Sequence, residues 1–394
     1  MSEPGAETDE SNWSVPESEV LRTAREVLAG DERGVLATII GVEGSAYRRP
    51  GAKMVLPEDG VGVGHITAGC LEDEVERLAS EVLEAGEPRV ETYDLMPEAD
   101  DDVWGLGVGC NGVIDILLEP IDESYRPVLD AFDAGEDVGV LTVVDVEGGE
   151  GDGEDAAVGA RAYYDPAADA FDRGEGFPAD LADRLRESAA DLTASGRAES
   201  LTVDGVTVFV DGVAAPDDLV VVGTGHDVGP IAELGSQADF RVTVIGFRGA
   251  NAKADRFPAA DEVVSTSPAR IREAFDFDSD AYVVVATHNF VDDRLALDEL
   301  LQAPVPYVGL MGPRERFEEM LDDFDEEGRE FTDDELDRLY TPVGLDLGAG
   351  TPHAIALSIV GEVLAVQNDR EPRHLRDREG PIHDRVALSA ESDD

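Results

Sequence analysis

Apolar positions recur with two different periods along the first part of the chain. "SEVLRTAREVLAG" has helical periodicity, and the helix that it predicts ends at Gly30. A second helix is predicted in "LEDEVERLASEVLEAG", whose apolar residues fall at helical spacing at Leu71, Val75, Leu78, Ala79 and Val82. Short strands are predicted around it in "GVLATIIGVEG", "AKMVLPEDG", "VGVGHITAG", "RVETYDLM" and "GVIDILLEPI". These elements predict an N-terminal mixed α+β domain over residues 18–120.

The pattern changes near residue 216, where nearly continuous apolar runs begin to alternate with helical segments. "DDLVVVGTGHDVGPIAELGSQADFRVTVIGF" reads as a buried strand, a glycine turn, a helix and a second buried strand. "AYVVVATH", "VPYVGLMG" and the helix "TPHAIALSIVGEVLAVQ" continue the alternation. Apolar strands that alternate with helices are typical of a doubly wound parallel sheet. We therefore predict an α/β protein with a Rossmann-like C-terminal domain over residues 216–370.

The remaining segments have weaker patterns. Residues 121–215 alternate helix and strand patterns around "EGGEGDGEDA", which predicts a middle α+β segment with an acidic, glycine-rich, solvated loop. Residues 1–17 are acidic and lack an apolar signal region, so we expect a disordered start, and residues 371–394 predict a polar tail. No run approaches the roughly 20 apolar residues that a membrane-spanning helix needs. The expected location is the cytoplasm, without membrane association.

The charge is strongly negative. The 394 residues include 89 Asp and Glu against 30 Lys and Arg, a formal net charge of −59. Nucleic-acid binding requires a basic surface, so this composition argues against a nucleic-acid partner. An acidic excess spread over folded segments is tolerable where salt screens repulsion, since the Debye length is about 3 Å at 1 M. We expect a protein from a salt-rich cytosol, of haloarchaeal type.

Two cysteines, Cys70 and Cys110, both follow glycines. Two are too few for a disulfide framework or a structural zinc site. Cys70 precedes the second predicted helix, where a helix N-terminus stabilises a thiolate that can act as a nucleophile or soft-metal ligand. Cys110 lies in a similar setting in "GLGVGCNG". The alternative for either is a small buried residue, since free cysteine is commonly buried.

Basic residues are rare enough to be informative. Arg48, Arg49 and Lys53 fall within six positions, and Lys53 and Lys253 are the two lysines of the chain. The cluster can hold a phosphate or another polyanion. The alternative is that these side chains pair with nearby acids.

The turn "GTGHDVG" lies between a predicted strand and a predicted helix, as a dinucleotide-binding fingerprint does. Gly223 and Gly225 allow a tight turn and close backbone approach. Val228 takes the third glycine position, and "GFR" at the end of the second strand lacks the ribose-binding acid. Arg248 and Lys253 can meet a phosphate instead. The alternative is a Rossmann-like scaffold that binds no nucleotide.

His226 and His288 follow the carboxyl ends of two apolar strands, in "VVVGTGH" and "VVVATHN". The first and fourth strands of a doubly wound sheet are neighbours at its switch point, where ligands bind. We therefore expect both imidazoles to line one crevice. The alternative for each is a structural hydrogen-bonding role.

These motifs resemble a known family. "GVEGSAYRRPGAKMVL", "AGCLEDEV" and "GVGCNGVIDILLEP" resemble the N-terminal motifs of the XdhC/CoxI family, the xanthine dehydrogenase accessory proteins. "VVGTGHDVGPIAELG", "VVVATHNFVDDRLAL", "YVGLMGPRER", "GLDLGAGTPHAIALSIVGEVLAV" and "GPIHDR" resemble its Rossmann-like half. The resemblance covers roughly residues 18–120 and 216–385.

The resemblance implies a chaperone rather than an enzyme. Such proteins bind molybdenum cofactor (molybdopterin), support its sulfuration and deliver it to a molybdenum hydroxylase such as xanthine or carbon monoxide dehydrogenase. Carried over by motif, Cys70 and Cys110 would lie close to the cofactor and its molybdenum, which soft thiolates suit. The basic cluster would suit the phosphate of the pterin. A cysteine desulfurase and a second copy of the chain are the other expected partners.

Two other functions stay open at this stage. The first is an NAD(P)-dependent oxidoreductase that uses the "GTGHDVG" turn, with His226 or His288 as acid or base. The second is a redox-sensing protein in which Cys70 and Cys110 form a reversible pair, which requires their Cα atoms to lie within about 7 Å.

Overall fold

The computed structural model describes residues 15–30, 32–67, 69, 71–95, 111–146, 156–348 and 350–377. The chain divides into two units, Met1–Pro216 and Asp217–Asp394. Both combine helices with sheet, and the sheet of the second unit is parallel throughout. The predicted α/β class with a Rossmann-like C-terminal domain is confirmed.

The first unit begins with a five-stranded antiparallel sheet. Its strands are β1 (Gly34–Ser45), β2 (Lys53–Pro57), β3 (Val63–Gly64), β4 (Arg89–Asp94) and β5 (Asn111–Pro120). They are ordered β3-β2-β1-β5-β4. Helix α1 (Glu17–Ala29) packs against β2, and α2 (Glu72–Ala85) packs against β1 and β5. The helical spacing seen in the sequence brings Val75, Leu78 and Val82 of α2 into the core with Ile39 and Ile116 of the sheet.

A second five-stranded antiparallel sheet belongs to the same unit. Its strands are β6 (Val138–Val146), β7 (Arg161–Asp165), β8 (Ala170–Arg173), β9 (Ala198–Val203) and β10 (Val206–Val213), ordered β8-β7-β6-β10-β9. Its helices are α3 (Arg126–Ala134), α4 (Ala179–Arg184) and α5 (Arg186–Ala194). The predicted acidic loop lies, except for its last residue, Ala156, outside the described part of the chain.

The second unit is a doubly wound parallel sheet. Its strands are β11 (Asp218–Val222), β12 (Arg241–Gly246), β13 (Glu262–Ser265), β14 (Ala281–Val285), β15 (Tyr307–Leu310) and β16 (Leu339–Tyr340). The order is β13-β12-β11-β14-β15-β16, so the first and fourth strands are neighbours. Its helices are α6 (Val228–Gln237), α7 (Phe290–Leu301), α8 (Arg314–Glu326), α9 (Asp333–Asp337) and α10 (Pro352–Gln367).

Strand burial explains the long apolar runs of the second unit. One face of β11 packs Val220 and Val222 with residues of α7 and α8, and the other packs Leu219 and Val221 with residues of α6 and α10. Covered on both faces, such strands lose the alternation of a half-exposed strand. Among the described helices, none is long and apolar enough to cross a membrane.

Candidate functional site

The strands that lie next to the two cysteines in the sequence share one end of the first sheet. Because neighbouring strands are antiparallel, β1 and β3 end there, and β5 begins there. At that end Ser45 pairs with Asn111, the residue that follows Cys110. The rings of Tyr47, after β1, and His65, after β3, lie 5.9 Å apart. The structure thus places the ends of β1 and β3 and the start of β5 together, whereas Cys70 and Cys110 lie outside the described residues, and their proximity stays a prediction.

Glu72, at the start of α2, ties together the loop that precedes the helix. Its carboxylate accepts hydrogen bonds from the Thr67 backbone N–H at 2.9 Å, the Thr67 hydroxyl at 2.6 Å and the Leu71 backbone N–H at 3.1 Å. Only 1% of Glu72 is exposed. Burial disfavours the charged carboxylate, but these hydrogen bonds outweigh it and hold the pKa of Glu72 below its usual value.

Sequence analysis missed Glu72. In "LEDEV" it is followed by Asp73 and Glu74, and nothing in residue type or spacing distinguishes the buried carboxylate from its exposed neighbours. The available signal is that Glu72 directly follows Leu71 and lies on the apolar face of the predicted helix. For an acidic residue, this position is only a weak indication that the side chain is buried.

The Lys53 side chain is buried, whereas a phosphate-binding lysine needs an ammonium group that the ligand can reach. It is 5% exposed, and its ammonium lies 2.7 Å from the Asp211 carboxylate and donates to the Gly51 carbonyl at 2.8 Å. Burial opposes the charged form, but Asp211 outweighs this and raises the pKa of Lys53. The Lys53 ammonium is thus engaged in a buried ion pair with Asp211, and a phosphate contact at this residue stays a prediction.

The two arginines of the predicted basic cluster differ from each other. Arg48 is half-buried and donates to Glu17, in the first turn of α1, so it follows the alternative of an acid partner. Arg49 is exposed. Of the three predicted residues, Arg49 is the one whose side chain faces solvent, and the phosphate-binding expectation rests mainly on it.

The second candidate site lies at the carboxyl ends of β11 and β14. Gly223 has a φ of 154°, and a Cβ there would lie 2.3 Å from the Ala286 carbonyl oxygen, so this close approach requires glycine. His288 has a left-handed φ of 57°, a strained conformation for histidine. Its Nε2 lies 2.7 Å from Oδ2 of Asp227, in the glycine turn. Both imidazoles are exposed, and the structure brings His288 to this turn through Asp227.

Arg248 reaches across the same crevice. It follows β12 and forms an ion pair with Asp292, in the first turn of α7, at 2.8 Å. The order β12-β11-β14 puts the glycine turn between the strands that these two residues follow. Its side chain is 61% exposed, so solvent reaches the guanidinium. Lys253, on the same loop, is also exposed.

A Rossmann-like domain implies a dinucleotide, and the residues here do not fit one. Gly246 stands where a ribose-binding acid is expected, and a Cβ there would lie 2.7 Å from Cγ2 of Thr224 and 2.8 Å from Cβ of Ala252. Arg256 donates to the Thr224 carbonyl at 3.0 Å and to the Asn251 carbonyl at 2.7 Å. The loop after β12 is thereby folded onto the glycine turn.

Metal ligands do not cluster in the part of the chain that the structure describes. No group there of three or more His, Cys, Asp or Glu side chains could hold a metal ion. A soft-metal contact at Cys70 or Cys110 stays a prediction, since both lie outside those residues.

Comparison with known families identifies both ends of the chain. The model of the XdhC Rossmann domain matches residues 219–363, and the model of the XdhC and CoxI family matches residues 27–94. A solved structure described as a xanthine dehydrogenase from Bacillus halodurans is 31% identical, with a TM-score of 0.70, and the match covers 92% of this chain and 97% of that one. The chain belongs to the XdhC and CoxI family.

Curated relatives agree with this family. A protein of Bacillus subtilis (strain 168), described as a probable subunit of xanthine dehydrogenase, is 29% identical over 342 residues, which are 86% of this chain and 94% of the relative. The molybdenum cofactor insertion chaperone PaoD of Escherichia coli (strain K12) is 24% identical over 380 residues, which are 94% of this chain and 97% of the relative.

Most candidate site residues of this XdhC and CoxI family member fall inside the family matches, whereas Cys110 lies between them. Glu72 and the basic cluster lie within the first match, and His288 and Arg248 lie within the second. The second sheet, which supplies Asp211 to Lys53, lies between the two matches. The family matches thus contain most of the candidate site residues, whereas Asp211, which pairs with Lys53, comes from the sheet between the two matches.

Proposed function

We propose that this chain is an accessory chaperone that binds molybdenum cofactor, supports its sulfuration and inserts it into a molybdenum hydroxylase of the xanthine or carbon monoxide dehydrogenase type. The observation that supports the proposal is that β1 and β3 end, and β5 begins, at one end of the first sheet, next in sequence to the "SAYRR", "AGCLE" and "GCNG" motifs. Two relatives support it, one named for xanthine dehydrogenase and the other named as a molybdenum cofactor insertion chaperone.

The chain's own residues would bind and orient the cargo. Thiolates of Cys70 and Cys110 are soft donors, which suit a molybdenum–sulfur centre. The exposed guanidinium of Arg49 suits the phosphate of the pterin, with two parallel hydrogen bonds available to it. Sulfuration requires a sulfur donor, and a cysteine desulfurase is the proposed partner for this step. The apo-hydroxylase and a second copy of this chain are the other proposed partners.

The alternative function, an NAD(P)-dependent oxidoreductase, is not favoured by any feature of the second site. The loop after β12 packs against the glycine turn, and glycine stands at position 246 in place of the ribose-binding acid. The His288–Asp227 pair does not by itself indicate hydride transfer.

The proposal is tested by cofactor retention. We would incubate the wild type and a Cys70→Ala/Cys110→Ala variant with molybdenum cofactor anaerobically in high salt, then measure molybdenum and pterin after gel filtration. Stoichiometric retention by the wild type and its loss in the variant are expected. The matched control is Ser279→Ala, a change of similar size at an exposed position of the second unit, which should retain the cofactor. A folded wild type that retains neither molybdenum nor pterin would overturn the proposal.

A further inference from the structure

Tyr47 is an exposed aromatic residue at the end of the first sheet where β1 and β3 finish. It is 61% exposed, whereas the other Phe and Tyr side chains that the structure describes are buried or half-buried. Isolated apolar side chains on a surface are common and need no function. The surroundings of Tyr47 therefore decide what this ring does.

The ring of His65 supports one side of Tyr47. The two ring centroids lie 5.9 Å apart, with an angle of 44° between the planes. Strand β2 lies between β1 and β3, so this contact joins segments that are two strands apart. The backbone on either side of His65 is fixed, since Ile66 is 0% exposed and a Cβ at Gly64 would lie 2.9 Å from the Lys53 carbonyl oxygen.

A flat ligand does not fit between these two rings. Carbon atoms in contact lie about 3.5–4.0 Å apart, so a ring held between two others needs parallel planes about 7 Å apart. The rings of Tyr47 and His65 are closer than this and are tilted. The surface available for stacking is therefore the outer face of Tyr47, with His65 behind it.

The loop from β1 to β2, which carries this exposed ring, is anchored to the body of the unit. Glu17, in α1, accepts hydrogen bonds from the Arg48 side chain and from the Lys53 backbone N–H, the second at 3.1 Å. The Gly51 N–H donates to the Ile39 carbonyl at 2.8 Å. An anchored loop loses less conformational entropy when a ligand binds to it.

Arg49 places a cation close to the exposed ring. It is exposed and follows Tyr47 by two positions, a stretch of chain that spans at most about 7 Å. An aromatic face binds a flat heterocycle by stacking, and a guanidinium binds phosphate through two parallel hydrogen bonds. One small molecule that carries both a heterocycle and a phosphate can therefore contact both side chains.

We propose that Tyr47 is the stacking platform for the pterin ring of the cargo, with His65 as the support behind it. This inference rests on the proposed function. It adds the surface that recognises the organic part of the cofactor, beside the guanidinium of Arg49 that binds its phosphate.

The test measures binding of two probes to the full chain in high salt. Molybdenum cofactor is followed by its dissociation constant under anaerobic conditions, and 6-hydroxymethylpterin, which has neither metal nor phosphate, is followed by quenching of its fluorescence. Tyr47→Ala should weaken the binding of both probes about tenfold, as expected for loss of one stacked ring. Tyr47→Phe keeps the ring and should bind both probes like the wild type.

Three further variants control for structural effects and for charge. Tyr47→Leu keeps apolar bulk without an aromatic face, so it should behave like Tyr47→Ala, and it covers the case in which alanine disturbs the loop. Val158→Ala shortens another exposed apolar side chain of the first unit and should change neither binding. Arg49→Gln should weaken the binding of the cofactor and leave that of 6-hydroxymethylpterin unchanged.

The two probes separate this inference from the proposed function. Folded Tyr47→Ala and Tyr47→Leu variants that bind both probes like the wild type would overturn the platform. A wild type that retains the cofactor without quenching the free pterin would overturn it as well. A wild type that retains no cofactor would overturn the proposed function, and the pterin titrations of the Tyr47 variants would still decide whether this ring binds a flat heterocycle.

Discussion

Lys53 shows how burial determines the role of a single charged residue. With Asp211 it forms one of two buried ion pairs that join the two sheets of the first unit, and Glu119 with Arg161 forms the other. The cavity beside them is also lined by Tyr125, Thr38 and Thr142. Removing one partner of a buried pair leaves an uncompensated charge, which costs more than the intact pair contributes. Lys53 is therefore a structural residue of the interface between the two sheets.

Substitution of Lys53 tests this role. Lys53→Met should lower the free energy of unfolding by about 3–5 kcal/mol, because Asp211 is left buried without its partner. The double variant Lys53→Met/Asp211→Leu should recover most of that loss, since both charges are then gone. The measurement is urea denaturation at constant salt. A single variant as stable as the wild type would contradict the assignment.

The pKa of Lys53 gives the same pair a pH dependence. Because its pKa in the folded protein is raised, its contribution is fully present below the unfolded value of about 10.4 and is lost as pH rises through the folded value. The stability difference between wild type and the double variant should therefore stay constant near neutral pH and change only in alkaline solution. Denaturation over a pH series checks this, and a change between pH 6 and 8, roughly where histidine titrates, would contradict it.

At the scale of elements, the β11–α6 turn and the loop after β12 form one packed unit. Gly223 lies against the end of β14, and Gly246 lies against Thr224 and Ala252. Arg256 fastens the loop to the turn through two backbone carbonyls. The glycines of this unit serve close packing between segments of the chain, where a dinucleotide-binding fold would use them for ligand approach.

Two alanine substitutions distinguish packing glycines from open ones. Gly246→Ala should destabilise the protein by about 1–3 kcal/mol, since the new Cβ meets side chains at 2.7 and 2.8 Å. Gly229→Ala, in the first turn of α6, meets nothing within 4 Å and should stabilise the protein by up to about 1 kcal/mol through helix propensity. Thermal unfolding measures both. Equal effects would mean that space at Gly246 is not limiting.

At the scale of the whole molecule, the net charge of −59 is the main source of electrostatic repulsion. Many of the arginines that the structure describes are paired with acids, such as Arg77 with Glu74 and Arg126 with Glu123. Exposed pairs of this kind contribute little individually, and the excess of carboxylates remains unneutralised. Self-repulsion therefore opposes the compact state unless salt screens it.

We expect the melting temperature to rise with KCl concentration. Raising ionic strength from about 0.1 M to 1 M shortens the Debye length from about 10 Å to 3 Å, so repulsion between separate carboxylates falls. Differential scanning fluorimetry over a KCl series measures this. Sucrose at matched osmolarity is the control, because it stabilises without screening charge. An equal increase in melting temperature with sucrose and with KCl would contradict an adaptation to salt.

The candidate sites were only partly predictable. Both histidines were expected in one crevice, and the parallel sheet does place His288 at the glycine turn, but its contact is Asp227, and Arg248 joins from a third strand. The basic cluster was read from proximity in sequence, which does not reveal that Lys53 points inward to Asp211. Side-chain direction depends on partners that sequence spacing does not specify.

The sequence by itself determined the type and order of the strongly patterned elements, such as α1, α2, β11, β12 and α10, because helices and strands have local periods of 3.6 and 2.0 that apolar positions reproduce. It also determined the parallel sheet of the second unit, since only strands covered on both faces have such continuous apolar runs. The tertiary structure alone decided which charges are buried: Glu72 among three consecutive acids, and Lys53 opposite Asp211. The partners of these charges lie on another strand or in the loop before α2. They come into contact only when the chain is folded.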